Sequence, residues 1–276
     1  MKRILLPTDF SKNARNAIKY AVDVFGKDAQ FYLVNVFREP HATSSSLVSI
    51  VDILQKTSED SLVREQKKME ALFPSLDLNI EAMSIYGDTA TVINDLSNEH
   101  KVDYVVMGTK GASGIKEVLL GSVTADVIQK VSRPLIAVPD RCSFTGFEKL
   151  GFAADLREIQ DHSCLEPMIE MAKHFSSAIE IVTIQNEVIY ASEEEALVGL
   201  EIHDILRGVD HKFVRRESED VIEGIEDYMH EENPDLMVLI PRRTKFWDRV
   251  FRISVTKKIA LHADVPLLIL RDKISS

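Results

Sequence analysis

Val102-Asp103-Tyr104-Val105-Val106-Met107 and Pro234-Asp235-Leu236-Met237-Val238-Leu239 decide the fold of this 276-residue chain. Each sets an aspartate ahead of a continuous apolar run, the pattern of a strand buried on both faces of a parallel sheet. They stand 132 residues apart. With that offset held and no gap opened, Ser122-Val123-Thr124 falls on Ser254-Val255-Thr256. Arg133-Pro134-Leu135-Ile136-Ala137-Val138 falls on Val265-Pro266-Leu267-Leu268-Ile269-Leu270. Agreement at all three stations marks an internal duplication.

The front of each half agrees as well. Lys2 to Asp9 is a short apolar strand ending on an acid, and Lys149-Leu150-Gly151-Phe152-Ala153-Ala154-Asp155 repeats it. Phe31 to Val36 resembles Ile179 to Ile184. Between the strands, Ala14, Ile18, Ala21, Val22 and Phe25 recur at helical spacing, and Gly26 closes the run. Val48 to Leu72 predicts a long helix with Val51, Leu54, Leu62, Met69 and Leu72 on one face. Val92, Ile93 and Leu96 line another, matched by Ile222, Ile225 and Tyr228. Five strands alternating with four helices in each half predict an α/β fold: two tandem open, mostly parallel five-stranded sheets flanked by helices. The stretch from Asp140 to Phe147 has no periodicity, so the expected domains are 1–140 and 147–276.

Composition narrows the function classes. Apolar residues make up 45%, charged residues 28%, and the formal net charge is -11. Phosphate repels such a chain, so nucleic acid is not an expected partner. No window approaches the roughly 18 apolar residues of a membrane span. Met1 opens directly on a strand with an acid soon after, which does not read as a signal peptide. Cys142 and Cys164 are spaced as neither a metal site nor a disulfide framework, and reduced thiols in the cytoplasm are expected. The eight histidines show no zinc-like spacing, so no metal ligand is assigned.

The strand ending at Met107 runs into Gly108-Thr109-Lys110-Gly111, and a helix over Val123–Val131 follows Gly121-Ser122. The spacing is Gly-x2-Gly-x9-Gly-Ser. It is neither a Walker loop nor a dinucleotide fingerprint. It still has the parts of a phosphate cradle at the carboxyl end of a central strand. Glycines let backbone N–H groups approach an anion, and a helix start supplies more of them. Ser122 adds a hydroxyl and Lys110 a charge. Turn-making glycines are the bland alternative. Asp9, Ser11 and Ser122 could likewise serve only as helix N-caps.

This loop, with Pro7-Thr8-Asp9 ending the first strand, resembles the universal stress protein family, and the duplication resembles its tandem form. The resemblance implies a Rossmann-like, adenine nucleotide alpha hydrolase-like fold that binds ATP, or ADP or AMP, with Mg²⁺ as an accompanying ion. It places Asp9 and Val36, with Pro7 and Thr8, at the base, and Gly108, Gly111, Gly121 and Ser122 at ribose and phosphates. Met107 and Val123 are weaker carry-overs. The family's last strands commonly pair, which implies an intramolecular pseudo-dimer of Leu135–Val138 with Leu267–Leu270 and homodimers beyond it.

The second copy departs from this pattern. Gly108 becomes Ile240, Gly111 becomes Arg243, Gly121 becomes Ile253 and Gly87 becomes Glu219, while Asp155 survives. One nucleotide per chain is therefore expected, in the first domain. The basic, aromatic stretch Arg242–Arg252, with Trp247 and Phe251, reads as a degenerate loop before it reads as a partner surface. Ala42 to Ser46 is expected as a loop near the nucleotide, and Glu193-Glu194-Glu195 as a solvated helix end. No nucleophile and base stand out, so the chain is expected to sense nucleotide rather than turn it over. Slow ATP hydrolysis and a nucleotide-independent scaffold are the alternatives. Related nucleotidyl transferases and ligases would carry Ser-Gly-Gly-x-Asp-Ser or His-x-Gly-His, and neither occurs.

Overall fold

The computed structural model describes residues 1–39, 47–109, 121–153, 159–185, 193–240 and 265–272. The chain divides into two compact units, Met1–Phe144 and Thr145–Ser276. The expectations placed on Ala42–Ser46, Lys110, Gly111, Asp155 and Arg242–Arg252 lie outside the described residues.

The first unit alternates β1 (Lys2–Pro7), α1 (Lys12–Phe25), β2 (Ala29–Phe37), α2 (Leu47–Leu72), β3 (Asn79–Tyr86), α3 (Thr89–Glu99), β4 (Tyr104–Gly108), α4 (Ser122–Lys130) and β5 (Leu135–Val138). The strands are parallel in the order β3-β2-β1-β4-β5. Successive strands step outward from β1 to β3, and the chain then crosses back to β4 and β5. Right-handed crossovers put α1 and α2 on one face and α3 and α4 on the other when the direction reverses. In agreement, α2 packs on β2 and β3, α1 on β4 and β5, and α3 on α4. Covered on both faces, Ile4, Leu5 and Leu6 are fully buried.

The aspartate ahead of each central strand has a structural task. Asp103 Oδ2 accepts from the Arg3 N–H at 2.7 Å, and its own N–H donates to the Arg3 carbonyl at 2.8 Å. The carboxylate closes the β1–β4 ladder at the end where it begins. Asp235 repeats this, accepting from the Glu148 and Lys149 N–H groups at 2.7 and 2.9 Å and donating to the Lys149 carbonyl.

In the second unit β6 (Lys149–Ala153) leads through a 3-10 turn (His162–Leu165) into α5 (Glu166–Phe175). β7 (Ala178–Gln185), α6 (Glu193–Ile205), β8 (His211–Glu217), α7 (Val221–Glu232), β9 (Leu236–Leu239) and β10 (Leu267–Ile269) follow. Its order, β8-β7-β6-β9-β10, repeats the first unit's topology. Buried Glu180 accepts from Lys212 Nζ at 2.8 Å and from the Tyr228 hydroxyl at 2.9 Å. Burial pushes its carboxyl up. The hydrogen bonds from Lys212 and Tyr228, and the charge of Lys149, outweigh that and hold it below its ordinary value.

Helix α1 follows its apolar spacing: Ala14, Ile18, Ala21 and Val22 are buried. Helix α2 departs from expectation. Leu62 and Met69 are buried, but Leu72 is 61% exposed. Leu72 is the last residue of the helix, and Phe73, just beyond it, is half-buried. Two polar residues also lie in the buried stripe, Ser58 at 4% exposure and Glu65 at 3%. Glu65 meets Arg15 Nε with both oxygens, at 2.7 and 3.0 Å. A count of apolar residues does not find such positions.

Candidate functional site

The strand order reverses between β1 and β4, the place where open α/β sheets bind ligands beyond their carboxyl ends. The register Ile4↔Tyr104 and Leu5↔Val105 brings the ends of these two strands side by side. From β1 emerge Pro7, Thr8 and Asp9, and from β4 Met107 and Gly108. Gly121, Ser122 and Val123 open α4 beside them. Val36 is one strand over, near the end of β2 opposite Ile85.

The β1 end is tightly held. Buried Thr8 donates its N–H to the Val34 carbonyl at 2.8 Å, and its Oγ1 accepts from the Phe10 N–H at 3.0 Å. Phe10 takes φ +64°, a left-handed turn that releases the chain into α1. Ser11, not Asp9, caps that helix, its hydroxyl accepting from the Ala14 N–H at 3.1 Å. Asp9 is exposed and accepts from the Ser11 N–H at 3.0 Å.

The β4 side is tied to α4. Gly121 donates its N–H to the Thr109 carbonyl at 2.6 Å, and Thr124 Oγ1 donates to the Gly108 carbonyl at 2.9 Å. Thr109, just past β4, and Gly121, at the start of α4, are thus joined directly through their backbones. The helix starts one residue earlier than expected, with Gly121 rather than Ser122 as its N-cap. A glycine cap offers no side-chain acceptor, whereas Ser11, Asp88 and Asp220 each supply one at α1, α3 and α7. Ser122 is exposed, and Val123 is 45% exposed.

The two described glycines of the motif differ in kind. A Cβ on Gly108 would lie 2.8 Å from Asn13 Cγ, so any side chain there must displace that of Asn13. Gly121 has φ -61° and ψ 145°, which any residue adopts. Nothing in its backbone calls for glycine. Asn13, Thr109 and Thr124 were not singled out in the sequence, although Thr124 could have been: it recurs as Thr256 in the duplicated Ser-Val-Thr.

Beside this end, Asp88 caps α3 and receives Lys130 Nζ from the last turn of α4 at 3.2 Å. Hydrogen bonds from the Thr91 hydroxyl and N–H, and then Lys130, lower its pKa to about 2. Gly87, with φ +154°, donates its N–H to the Phe37 carbonyl at 3.0 Å and so joins the ends of β2 and β3.

In the second unit the register Leu150↔Leu236 sets β6 and β9 as β1 and β4 are set. Gly108 is replaced by Ile240, whose side chain is only 4% exposed just past β9. The helix after β6 begins later, at Glu166, behind the 3-10 turn. Glu219 holds the place of Gly87. Among the described residues, no group of three or more His, Cys, Asp or Glu side chains could hold a metal ion, and no helix is long and apolar enough to cross a membrane.

The universal stress protein family model matches residues 1–139 and again 146–271. A universal stress protein of Methanocaldococcus jannaschii is 30% identical over 153 residues, covering 50% of this chain and 94% of its own. One from Bacillus subtilis is 30% identical over 146 residues, covering 49% of this chain and 97% of its own. The crystal structure of a universal stress protein from Archaeoglobus fulgidus superposes with a TM-score of 0.74 at 20% identity, covering 98% of both chains. At that identity it speaks for the fold.

Proposed function

This chain belongs to the universal stress protein family, and from that premise we propose that its first unit binds an adenine nucleotide, ATP foremost, at the carboxyl ends of β1 and β4. Gly121 carries the reading: an N-cap without a side chain, in a backbone conformation open to any residue, at the switch point of the sheet. Glycine there leaves the free N–H groups and positive end of α4 open to phosphate. Ser122 and Lys110 add a hydroxyl and a charge, Gly111 lets the loop approach, and Asp9 and Val36 face the base.

The second unit does not bind in this way. Ile240 fills the strand end, and Arg243 and Ile253 replace the other loop glycines. One nucleotide is bound per chain, and its occupancy changes how the chain engages partners. Two buried cysteines that are not joined in a disulfide suit a reducing compartment such as the cytoplasm.

Mass spectrometry of small molecules released from the purified chain, followed by calorimetric titration with ATP, tests this. The expected result is one site, lost in Gly121→Val with folding intact. A chain that is empty and has no affinity for ATP or ADP overturns nucleotide binding. Two sites per chain overturn the closure of the second unit. Turnover at enzyme rates would overturn the sensing role alone.

A further inference from the structure

Between the two strands assigned to the base, the backbone ladder ends and a side chain continues it. Pro7 pairs with Val34, and the Thr8 N–H reaches the Val34 carbonyl. One step further, Asn35 Nδ2 donates to the Thr8 carbonyl at 2.6 Å. Asn35 Oδ1 accepts from the Ser58 hydroxyl at 2.7 Å, and Ser58 Oγ accepts from the Ser84 hydroxyl at 2.7 Å. Donation runs one way, from β3 through α2 and β2 to β1. Asn35 and Ser58 are buried, and aligned hydrogen bonds in such surroundings polarise one another. Asparagine suits the junction because one planar amide both donates and accepts. Reversed, that amide would set its oxygen against the Thr8 carbonyl.

The clamp lies one residue before Asp9, just past the end of β1, and one residue before Val36 on β2. The second unit does not repeat its chemistry. Asn35 is the register partner of Ser84, and the matching pair on β7 and β8 is Thr183 with Arg215. Resting on the nucleotide reading above, we propose that Asn35 is the positioning residue of the base cleft. It fixes the spacing between Asp9 and Val36 and thereby sets a preference for adenine over guanine. A site that reads polar edges discriminates only as well as its walls are held, since a misplaced donor or acceptor leaves its partner unpaired.

The test is calorimetric titration of the full chain and its variants with ATP and with GTP. Asn35→Asp keeps the size and the acceptor for Ser58 but sets an oxygen against the Thr8 carbonyl. The ATP-over-GTP preference is expected to fall about tenfold in Asn35→Asp and roughly threefold in Ser58→Ala, the range of one hydrogen bond lost or weakened. Ser58→Ala, a milder change, keeps the test available if Asn35→Asp does not fold. An unchanged preference, or an equal loss for both nucleotides, overturns the proposal, the second result marking a merely structural role. A wild-type chain that binds neither nucleotide overturns the nucleotide reading itself. That failure is distinguishable, because an Asn35/Ser58 double-mutant cycle in thermal unfolding reads the clamp without any nucleotide.

Discussion

Replacing Gly108 by alanine separates a packing glycine from a ligand glycine. The new Cβ would stand 2.8 Å from Asn13 Cγ, 2.9 Å from Nδ2 and 3.0 Å from Oδ1. Ordinary contact begins at 3.4 Å, so something must give by about 0.6 Å. The atoms met all belong to the side chain of Asn13, which is buried under α1 against β4, so that side chain must turn aside within a packed layer. Overpacking of this kind costs about 1–3 kcal/mol. For a unit of this size that lowers the melting temperature by roughly 2–12 °C. Differential scanning calorimetry of the full chain measures it, alongside ATP titration. Gly108→Ala is expected to destabilise the first unit with a modest loss of affinity, and Gly121→Val to abolish binding with little loss of stability. A Gly108→Ala chain that melts with the wild type refutes the packing argument.

Tyr228→Phe removes the hydroxyl that donates to the buried Glu180 carboxylate; chemical denaturation should show a loss of about 1.5–3 kcal/mol, and an unchanged midpoint would remove Tyr228 from that network. The pKa of Asp88, about 2 when folded, lies below its ordinary 3.8, so its contribution is present above pH 3.8 and lost as pH falls through 2. Thr91→Val should move the Asp88 midpoint upward in a carboxyl-carbon NMR titration, and a fixed midpoint would show that the Thr91 hydroxyl is not the main cause. Burial first, then Asp272 and Asp161, push the Cys164 thiol up to about 12, and Cys142 is buried too. Neither should react with a thiol reagent at pH 8 until the chain is unfolded; rapid labelling of the native protein would contradict their burial.

The parallel architecture was legible because its strands are buried on both faces and therefore written as unbroken apolar runs. The α1 face was legible for the same reason. The polar interior was not. Ser58 and Glu65 lie in the buried stripe of α2, and Asn35 on a central strand, because each meets a partner far away in sequence, at positions 35, 15 and 8. Helix periodicity carries no signal of such pairs. At the site, the strand ends and the start of α4 were readable from the glycine spacing. The difference between Gly108 and Gly121 was not, since it depends on Asn13 from another helix and on a dihedral angle. The cap of α4 was misplaced by one residue because serine is the commoner cap, and the Thr109 carbonyl takes the Gly121 N–H instead.

The aspartate clip joins residues 100 positions apart in the first unit. During synthesis on a ribosome, β1 leaves the exit tunnel first and can pair with β2 soon afterwards, but its other edge must wait until β4 has emerged. Its central strand is therefore half-covered for most of the time the unit is being made. Domains generally fold as units, N-terminal first, during synthesis. The same clip recurs at Asp235 with Glu148 and Lys149, a separation of 86 to 87 residues. Each half thus carries its own late closing stitch, and the nascent chain can finish its first fold before it starts its second.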